Sequence, residues 1–134
     1  MSSQKDPQDY FEEHGYFIFE KLLSERDIDN LLFEFERFKA KNSLYYSQSE
    51  HNWRRTCHDL DESGLLTCSL ENFTRLIGAN GLRSAGKDIL LSEKMLAALR
   101  QVSGQRDFIQ WQNMLFDRST GTVDHLDAWY LDSF

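Results

Sequence analysis

Apolar residues recur at helical spacing in the first third of the chain, directly after a polar start signal. Ser24, followed three residues later by Asp27, resembles a capping box in which Asp replaces the usual Glu or Gln. The apolar positions that follow predict an amphipathic helix over residues 25–41. Phe33 falls outside their stripe, so we expect a second packing surface to cover it. The stripe consists of Ile28, Leu31, Leu32, Phe35 and Phe38.

A shorter helix and a strand are predicted before residue 25. Asp6 supplies an N-cap acceptor and Pro7 needs no donor in the first helical turn, so together they predict a helix start. Gly15 provides the matching stop. The aromatic and β-branched run YFIF at residues 16–19 then predicts a strand.

The middle of the chain has no steady periodicity between residues 42 and 67. This stretch is polar, aromatic and long for a connection, which predicts a functional or mobile loop. Two helices are predicted after it, one ending near Gly78 and one running from after Ser92 to near Gly104. The segment between them, ANGLRSAGKD, is predicted to be a loop. The apolar positions of the two helices are Leu70, Phe73, Leu76 and Ile77, and Met95, Leu96, Leu99 and Val102.

Strand-like alternation replaces helical spacing in the last third. Residues 108–116, FIQWQNMLF, predict a strand; DRSTGT predicts a turn; and residues 123–131 predict a second strand. Helices followed by strands indicate an α+β domain, which we assign to residues 1–134 as a single domain. One face of the first strand is expected to carry Phe108, Gln110, Gln112, Met114 and Phe116.

The composition is that of an acidic globular protein. Hydrophobic residues make up 40% and charged residues 28%, which excludes a disordered chain. The net charge of −7 excludes nucleic acid and anionic membranes as expected partners, because both present negative phosphates. No apolar run reaches the ~18 residues of a membrane helix, and the N-terminus lacks an apolar signal region. Two cysteines, Cys57 and Cys68, make no disulfide framework, so we expect a cytoplasmic protein.

His125 and Asp127 are the main candidates for chemistry. Residues i and i+2 of a strand point to the same face, so the imidazole and the carboxylate are expected side by side. They would supply two of the three ligands of the facial triad that binds non-haem Fe(II). The spacing alone also fits a polar pair at a strand edge with no metal role.

The order of motifs along the chain resembles the phytanoyl-CoA dioxygenase family. The opening segment HGYFIFEKLLSERDIDNLLFEFERF is similar to that family's Gly-Tyr-hydrophobic, Leu-Leu-Ser and helix pattern, here at Gly15-Tyr16-Phe17 and Leu22-Leu23-Ser24. The segment WQNMLFDRSTGTVDHLDAWYLD then brings strand, turn and His-x-Asp in the family's order. The resemblance covers most of the chain and is specific at its two ends.

This resemblance implies a double-stranded β-helix (jelly roll, cupin-like) on which the N-terminal helices pack, and of which the chain holds only the beginning. It implies an oxygenase that uses Fe(II) and the cosubstrate 2-oxoglutarate to hydroxylate a small organic molecule. The family's second His ligand and its 2-oxoglutarate-binding Arg follow the His-x-Asp strand, and the sequence ends at Phe134. We therefore expect the 134 residues alone to bind iron weakly and to be inactive, and their open strand edges to favour self-association.

Three further residues are given roles by the resemblance. Gln112 and Met114 share a strand face that contacts the cosubstrate in the family, although a core position is the more common role for a residue such as Met114. Trp129 follows Asp127 by two residues, so on a strand it is expected on the same face. There it would line the substrate pocket or belong to the core.

The long polar stretch at residues 42–67 offers weaker candidates. Cys57, His58 and Cys68 do not have the paired spacing of a zinc site, so we do not expect zinc. Trp53, Arg54 and Arg55 fit a lid that faces an acidic substrate, but also a solvated loop.

Three hypotheses follow for function. The first is a fragment of an Fe(II)/2-oxoglutarate-dependent dioxygenase. The second is a truncated, inactive relative whose helical face serves as a binding or oligomerisation module. The third is an unrelated α+β domain with a chance His-x-Asp, for which replacing His125 with Ala would change no Fe(II)-dependent property.

Overall fold

The protein is described by a computed structural model over residues 6–41, 43–49 and 52–118. Helices and short antiparallel strands alternate along this part of the chain. The helices are Pro7–His14 (α1), Glu25–Lys41 (α2), Asn80–Leu90 (α3) and Glu93–Ser103 (α4), with a 3₁₀ turn at Phe73–Arg75. The strands are Tyr45–Ser49 (β1), Asn52–Thr56 (β2), Leu70–Glu71 (β3) and Met114–Leu115 (β4).

The sequence signals for α1 and α4 are confirmed. The Asp6 carboxylate accepts a hydrogen bond from the Gln8 amide at 2.9 Å, and Gly15 ends α1 in the left-handed conformation. The Ser92 hydroxyl accepts one from the Met95 amide at 3.1 Å and so caps the start of α4. Both helices therefore begin and end where the capping residues predict.

Helix α2 has the predicted bounds and a true capping box. The Asp27 amide donates to the Ser24 hydroxyl at 3.2 Å, and the Ser24 amide donates to the Asp27 carboxylate at 3.0 Å. Only part of the predicted stripe is buried, since Phe35 lies in the core while Leu32 is 53% exposed. The second packing surface expected over Phe33 is not seen among the described residues: its side chain is 61% exposed, and the Arg37 guanidinium lies over its ring at 5.7 Å from the centre.

The predicted loop at residues 42–67 is partly wrong, because it contains the antiparallel hairpin β1–β2. Tyr45 pairs with Thr56, and Tyr46 forms a bridge with Ile77. Tyr45 is buried and Tyr46 is exposed, which is the alternation of a half-buried strand. The sequence does not predict this hairpin, because its residues are mostly polar and show no regular alternation of apolar and polar positions.

The helix predicted around Leu70–Ile77 is wrong in type. Leu70 belongs to β3, Phe73 opens the 3₁₀ turn, and Asn72 between them has φ 47°, outside the helical region. Leu70, Phe73 and Leu76 are nonetheless all buried in the core. A spacing of three fits a turn of three residues as well as an α-helix, so apolar spacing alone could not separate the two.

The segment ANGLRSAGKD is helical, contrary to the predicted loop, and forms most of α3. Its glycines suggested a loop, but Gly86 serves close packing. A side chain at Gly86 would collide with the Phe73 ring, whereas one at Gly81 would only displace the end of the flexible Glu34 side chain of α2. The missing Cβ at Gly86 therefore lets α3 pack closely on the 3₁₀ turn, although glycine weakens a helix.

Two predicted strands differ from the structure. Residues 16–19 pair with no described strand and Ile18 is 73% exposed, so the expected strand is wrong there. Residues 108–116 form a strand only at β4, where Leu115 pairs with Leu70 and Met114 with Glu71. The strand predicted at residues 123–131 lies outside the described residues.

The core lies between α2, α3, β1 and the 3₁₀ turn, and its most deeply buried side chains are Leu76, Leu82 and Thr74. Mixed helices and two small antiparallel sheets confirm the α+β class. The double-stranded β-helix expected from the resemblance is not seen in the described part, which has two strands in each sheet. No described helix combines the length and the apolar character needed to cross a bilayer.

Candidate functional site

The predicted metal ligands His125 and Asp127, and the predicted substrate residue Trp129, lie outside the described residues. Within residues 6–41, 43–49 and 52–118, no three His, Cys, Asp or Glu side chains are grouped so as to hold a metal ion. The described residues that lead toward the predicted ligands are residues 108–118. We call them the C-terminal segment.

Gln112 and Met114 lie on the exposed side of the C-terminal segment. Met114 is 41% exposed, whereas its neighbour Leu115 packs against the core. Met114 is therefore not a core residue of the described fold, and both side chains are open to a ligand. Their roles in binding a cosubstrate stay predictions.

Asn113 fixes the middle of the C-terminal segment to the 3₁₀ turn. Its side-chain oxygen accepts from the Thr74 amide at 3.2 Å, and its side-chain nitrogen donates to the Thr74 hydroxyl at 2.8 Å. The Thr74 hydroxyl in turn donates to the Gln110 side-chain oxygen at 3.3 Å, and Arg75 donates to the Gln110 carbonyl at 3.1 Å. Because Thr74 is fully buried, these bonds satisfy groups that water does not reach.

Asp117 fixes the end of the same segment to two other parts of the fold. One carboxylate oxygen accepts from the Lys39 ammonium of α2 at 3.1 Å and from the Leu66 amide at 2.9 Å. The Lys39 side chain is 8% exposed and that of Asp117 is 10% exposed, so this is a largely buried ion pair. A charged pair shielded from water is costly to break on one side.

Lys39 has a second carboxylate and an aromatic ring around its ammonium. The nitrogen lies 2.8 Å from the Glu36 carboxylate and 4.9 Å from the centre of the Phe35 ring. Burial lowers the pKa of Lys39, but the hydrogen bonds to Glu36 and Asp117 outweigh it and raise the pKa above its ordinary value. Lys39 therefore stays charged and holds the Asp117 carboxylate.

Arg118 makes a second contact next to the first. Its guanidinium donates to the Asp61 carboxylate at 2.8 Å, and the other oxygen of Asp61 accepts from the amides of Ser63 and Leu65. The Leu65 amide, followed by the Ser63 amide and the Arg118 charge, holds the pKa of Asp61 below its usual range. The C-terminal segment is thus attached by Asp117 and Arg118 to the turn at residues 60–66, which we call the 60–66 turn.

The zinc and lid candidates can be located as well. Cys57 and Cys68 are exposed free thiols, and the His58 Nε2 bonds to the Lys39 carbonyl at 2.9 Å. The expectation that these residues form no zinc site stays a prediction. Arg54 and Arg55 are exposed on β2, where they can act as solvated charges or face a partner.

Sequence reasoning missed the residues that carry the most specific contacts. Asp117 was assigned only to a turn, and Lys39 was assigned no role. A signal existed for Lys39, since it follows Phe35 by four residues and so lies near the apolar stripe of α2. Its partner, 78 residues further along the chain, had no local signal.

Comparisons of the chain with protein-family models, with curated proteins and with solved structures found no match in any of the three. The likeness to phytanoyl-CoA dioxygenases therefore stands on the residues of the chain alone.

Proposed function

We propose that the chain is part of a non-haem Fe(II)/2-oxoglutarate-dependent dioxygenase that hydroxylates a small organic substrate. In this proposal, His125 and Asp127 are two of the iron ligands. The domain is completed as a double-stranded β-helix by strands that follow the His-x-Asp strand, and the protein acts in the cytoplasm.

The observation that supports this proposal best is the anchoring of the C-terminal segment. Asn113, Asp117 and Arg118 each bind a different partner in the fold, and the sequence reaches His125 soon after the last of them. A metal site needs donors held in a narrow range of positions. Directional polar contacts just before the donors restrict the position of the chain more narrowly than apolar contacts alone would.

The donor set fits non-haem iron better than a structural zinc. One imidazole and one carboxylate at i and i+2 match a facial triad, whereas structural zinc prefers four ligands, often thiolates. When bound, Fe(II) would activate O₂, the oxidant; 2-oxoglutarate would supply two electrons as it is decarboxylated to succinate with uptake of one oxygen atom, leaving the other for the substrate. The chain contributes the imidazole nitrogen of His125 and the carboxylate of Asp127, which must be unprotonated to bind.

The other predicted residues have roles around this centre. Gln112 and Met114, exposed beside β4, would contact the cosubstrate, and Trp129 would form a wall of the substrate pocket. A second His ligand and an Arg that pairs with the far carboxylate of 2-oxoglutarate complete the site in the family.

An anaerobic calorimetric titration with Fe(II) tests the proposal on the protein expressed from its complete gene. We expect one iron per protein, and a loss of affinity of at least about tenfold in both His125→Ala and Asp127→Ala. The matched control is His14→Ala, because His14 is exposed at the end of α1. Binding that is equal in His125→Ala and His14→Ala would show that the His-x-Asp is a chance pair.

A second candidate is favoured by the exposed apolar side chains of α2. Ile28 is 43% exposed, Leu32 53% and Phe33 61%, so one helix presents three apolar side chains to solvent. They favour an inactive relative that binds a partner or itself through this helix. Sedimentation of wild type and Phe33→Ser tests self-association. The reading frame after the codon for Phe134 separates the candidates, since a stop codon there removes the family's remaining ligands.

A further inference from the structure

Two exposed surfaces of the described fold carry opposite charges, and each presents an aromatic side chain. One is the cleft between α2 and α3, and the other is the outward face of the β1–β2 hairpin. We propose that these surfaces bind each other between two copies of the chain, with the hairpin of one copy seated in the cleft of the next. Neither surface contains a predicted iron ligand, so the contact would serve an active oxygenase and an inactive relative alike.

The cleft runs along the first half of α2 and the second half of α3 and has an apolar floor. Ala85 and Ile89 of α3 line it and are buried, and Phe33 of α2 lines it as an exposed ring. Its volume is about 810 Å³, which leaves room for a large side chain of a partner. An aromatic side chain that enters such a cleft leaves water and packs against apolar surface, as the strongest contacts of protein interfaces do.

The rim of the cleft is acidic. Arg26 is the only cation among the described residues that line it, and one carboxylate, that of Asp27, is already bound by the Lys94 ammonium at 3.0 Å. Three further carboxylates form no ion pair with a described residue: those of Glu25, Asp29 and Asp88. The cleft therefore favours a partner that carries a positive charge next to an aromatic side chain.

The outward face of the β1–β2 hairpin has this chemistry. Tyr45 is buried in the core, so the next residue, Tyr46, and its cross-strand partner Arg55 lie on the opposite face. Trp53 precedes Arg55 by two residues and shares that face, and all three side chains are exposed. Arg55 forms no ion pair with a described residue. Arginine and aromatic residues are enriched at protein interfaces, where they often supply most of the binding energy.

The fold holds the hairpin away from the cleft of its own chain. The Tyr45 ring lies 5.1 Å from that of Phe38 near the end of α2, and Tyr46 is bridged to Ile77. The cleft lies toward the start of the same helix, and the distance along the helix axis from Asp29 to Phe38 is roughly 13 Å. The contact therefore joins two copies. Because it joins two different surfaces, it is head-to-tail.

Charge disfavours the part of the chain that follows Arg118 as an occupant of the cleft. That part contains three Asp and no Lys or Arg, so it would bring more negative charge to an acidic rim. Two whole copies repel each other as well, since each has a net charge of −7. Salt screens this repulsion beyond about 8 Å at physiological ionic strength, whereas an Arg55 side chain in the cleft would lie closer than that to the rim carboxylates.

Sedimentation velocity of the full chain over a range of concentrations tests the contact. We expect wild type to associate as its concentration rises. The cleft variant, Asp29→Lys/Asp88→Lys, and the hairpin variant, Trp53→Ser/Arg55→Glu, should each need at least about tenfold more protein to associate. All four side chains are exposed, so both variants should keep the circular dichroism spectrum of wild type.

An equimolar mixture of the two variants is the decisive measurement. Each variant keeps the surface that the other lacks, so the mixture should form a heterodimer that grows no further. The matched control is Asp9→Lys/Asp107→Lys, which changes the net charge as much as the cleft variant does, at exposed positions outside both surfaces. The control should associate at least as tightly as wild type. Arg55→Glu alone replaces the hairpin variant if that variant does not fold, and should weaken association by at least about threefold.

Each remaining outcome overturns the contact. A wild type that stays monomeric at every concentration would do so and leave the proposed iron site untouched, because no predicted ligand lies in either surface. Association that neither the cleft variant nor the hairpin variant weakens would mean that the copies meet through other surfaces. Equal weakening in the cleft variant and in the control would reduce the effect to net charge. A mixture without a heterodimer would show that the cleft and the hairpin do not bind each other.

Discussion

The helical core and the C-terminal segment are held in this protein by different forces. In the core, Leu82 is 1% exposed and packs among other apolar side chains. In the C-terminal segment, Ile109 is 90% exposed and Trp111 69%. Beside the packing of Leu115, the segment is held by the hydrogen bonds of Asn113 and the ion pair of Asp117. Apolar burial stabilises the first region, and directional polar contacts define the position of the second.

This difference bears on function because the two kinds of contact specify different things. Apolar burial is roughly proportional to area and tolerates small shifts, whereas a hydrogen bond weakens steeply with angle. The helical core, whose role is to stabilise the fold, can rely on apolar burial. The proposed function asks for the second kind in the C-terminal segment, because the predicted metal donors follow that segment in the sequence.

The largest effect is expected in the core. Leu82→Ala should lower the free energy of unfolding by about 2–5 kcal/mol, because it removes apolar contacts and leaves a cavity. Urea denaturation followed by circular dichroism measures it. The matched control is Leu91→Ala, since Leu91 is 50% exposed at the end of α3. If both variants lost the same stability, the division between core and surface would be wrong.

The next largest effect is expected at the buried ion pair. Lys39→Met should cost about 3 kcal/mol, because it leaves the Asp117 carboxylate buried without its cation. The double variant Lys39→Met/Asp117→Leu should recover most of this loss, since it leaves no unpaired charge. Both are measured by urea denaturation. A double variant as unstable as the single one would mean that packing around the pair, and not charge, carries the effect.

A smaller effect is expected at Asn113. Asn113→Ala should cost about 1–3 kcal/mol, because the buried amide of Thr74 loses its acceptor and its hydroxyl loses a donor. Its neighbour Gln112 is exposed, so Gln112→Ala should change the stability by no more than about 0.5 kcal/mol. Hydrogen exchange of the Thr74 amide is the direct measurement. Unchanged protection of the Thr74 amide in Asn113→Ala would show that Asn113 does not hold the C-terminal segment to the 3₁₀ turn.

The smallest effect is expected at Asp27, in the helical region. Its hydrogen bonds with Ser24, together with Lys94, lower its pKa to about 2 from 3.8. A lowered pKa in the fold stabilises the protein above the unfolded pKa, and this stabilisation is lost as the pH falls through the folded value. The stability difference between wild type and Asp27→Asn should therefore be full above about pH 4 and vanish toward pH 2.

The matched control for this titration is Asp29→Asn, because Asp29 lies on the same helix and its side chain makes no hydrogen bond or ion pair with a described residue. It should have nearly wild-type stability at neutral pH. A difference between wild type and Asp27→Asn that grew on acidification would have the wrong sign for a capping carboxylate. Such a result would mean that the pH dependence of stability comes from a contact other than the cap at Asp27.

The sequence predicted the helices whose signals are local. α1, α2 and α4 are each marked by a capping residue such as Ser24 or Ser92, so their starts could be assigned from neighbours in the sequence. The prediction of a loop at α3 is wrong because Gly86 serves close approach to Phe73, a partner that only the fold brings near.

The candidate site was predictable only in part for the same reason. His125 and Asp127 have a local signal, since their spacing alone suggests a shared face. Lys39 and Asp117 are 78 residues apart, and neither residue type indicates the other. The contact could be found only once the core had placed the end of α2 beside the end of the C-terminal segment.

The most direct test of the account is whether the protein expressed from its complete gene turns over 2-oxoglutarate with Fe(II) and O₂, measured as succinate. We predict succinate formation that depends on Fe(II), is lost in His125→Ala and in Asp127→Ala, and persists in His14→Ala. No succinate from the wild type, or equal amounts from wild type and His125→Ala, would contradict the proposed oxygenase.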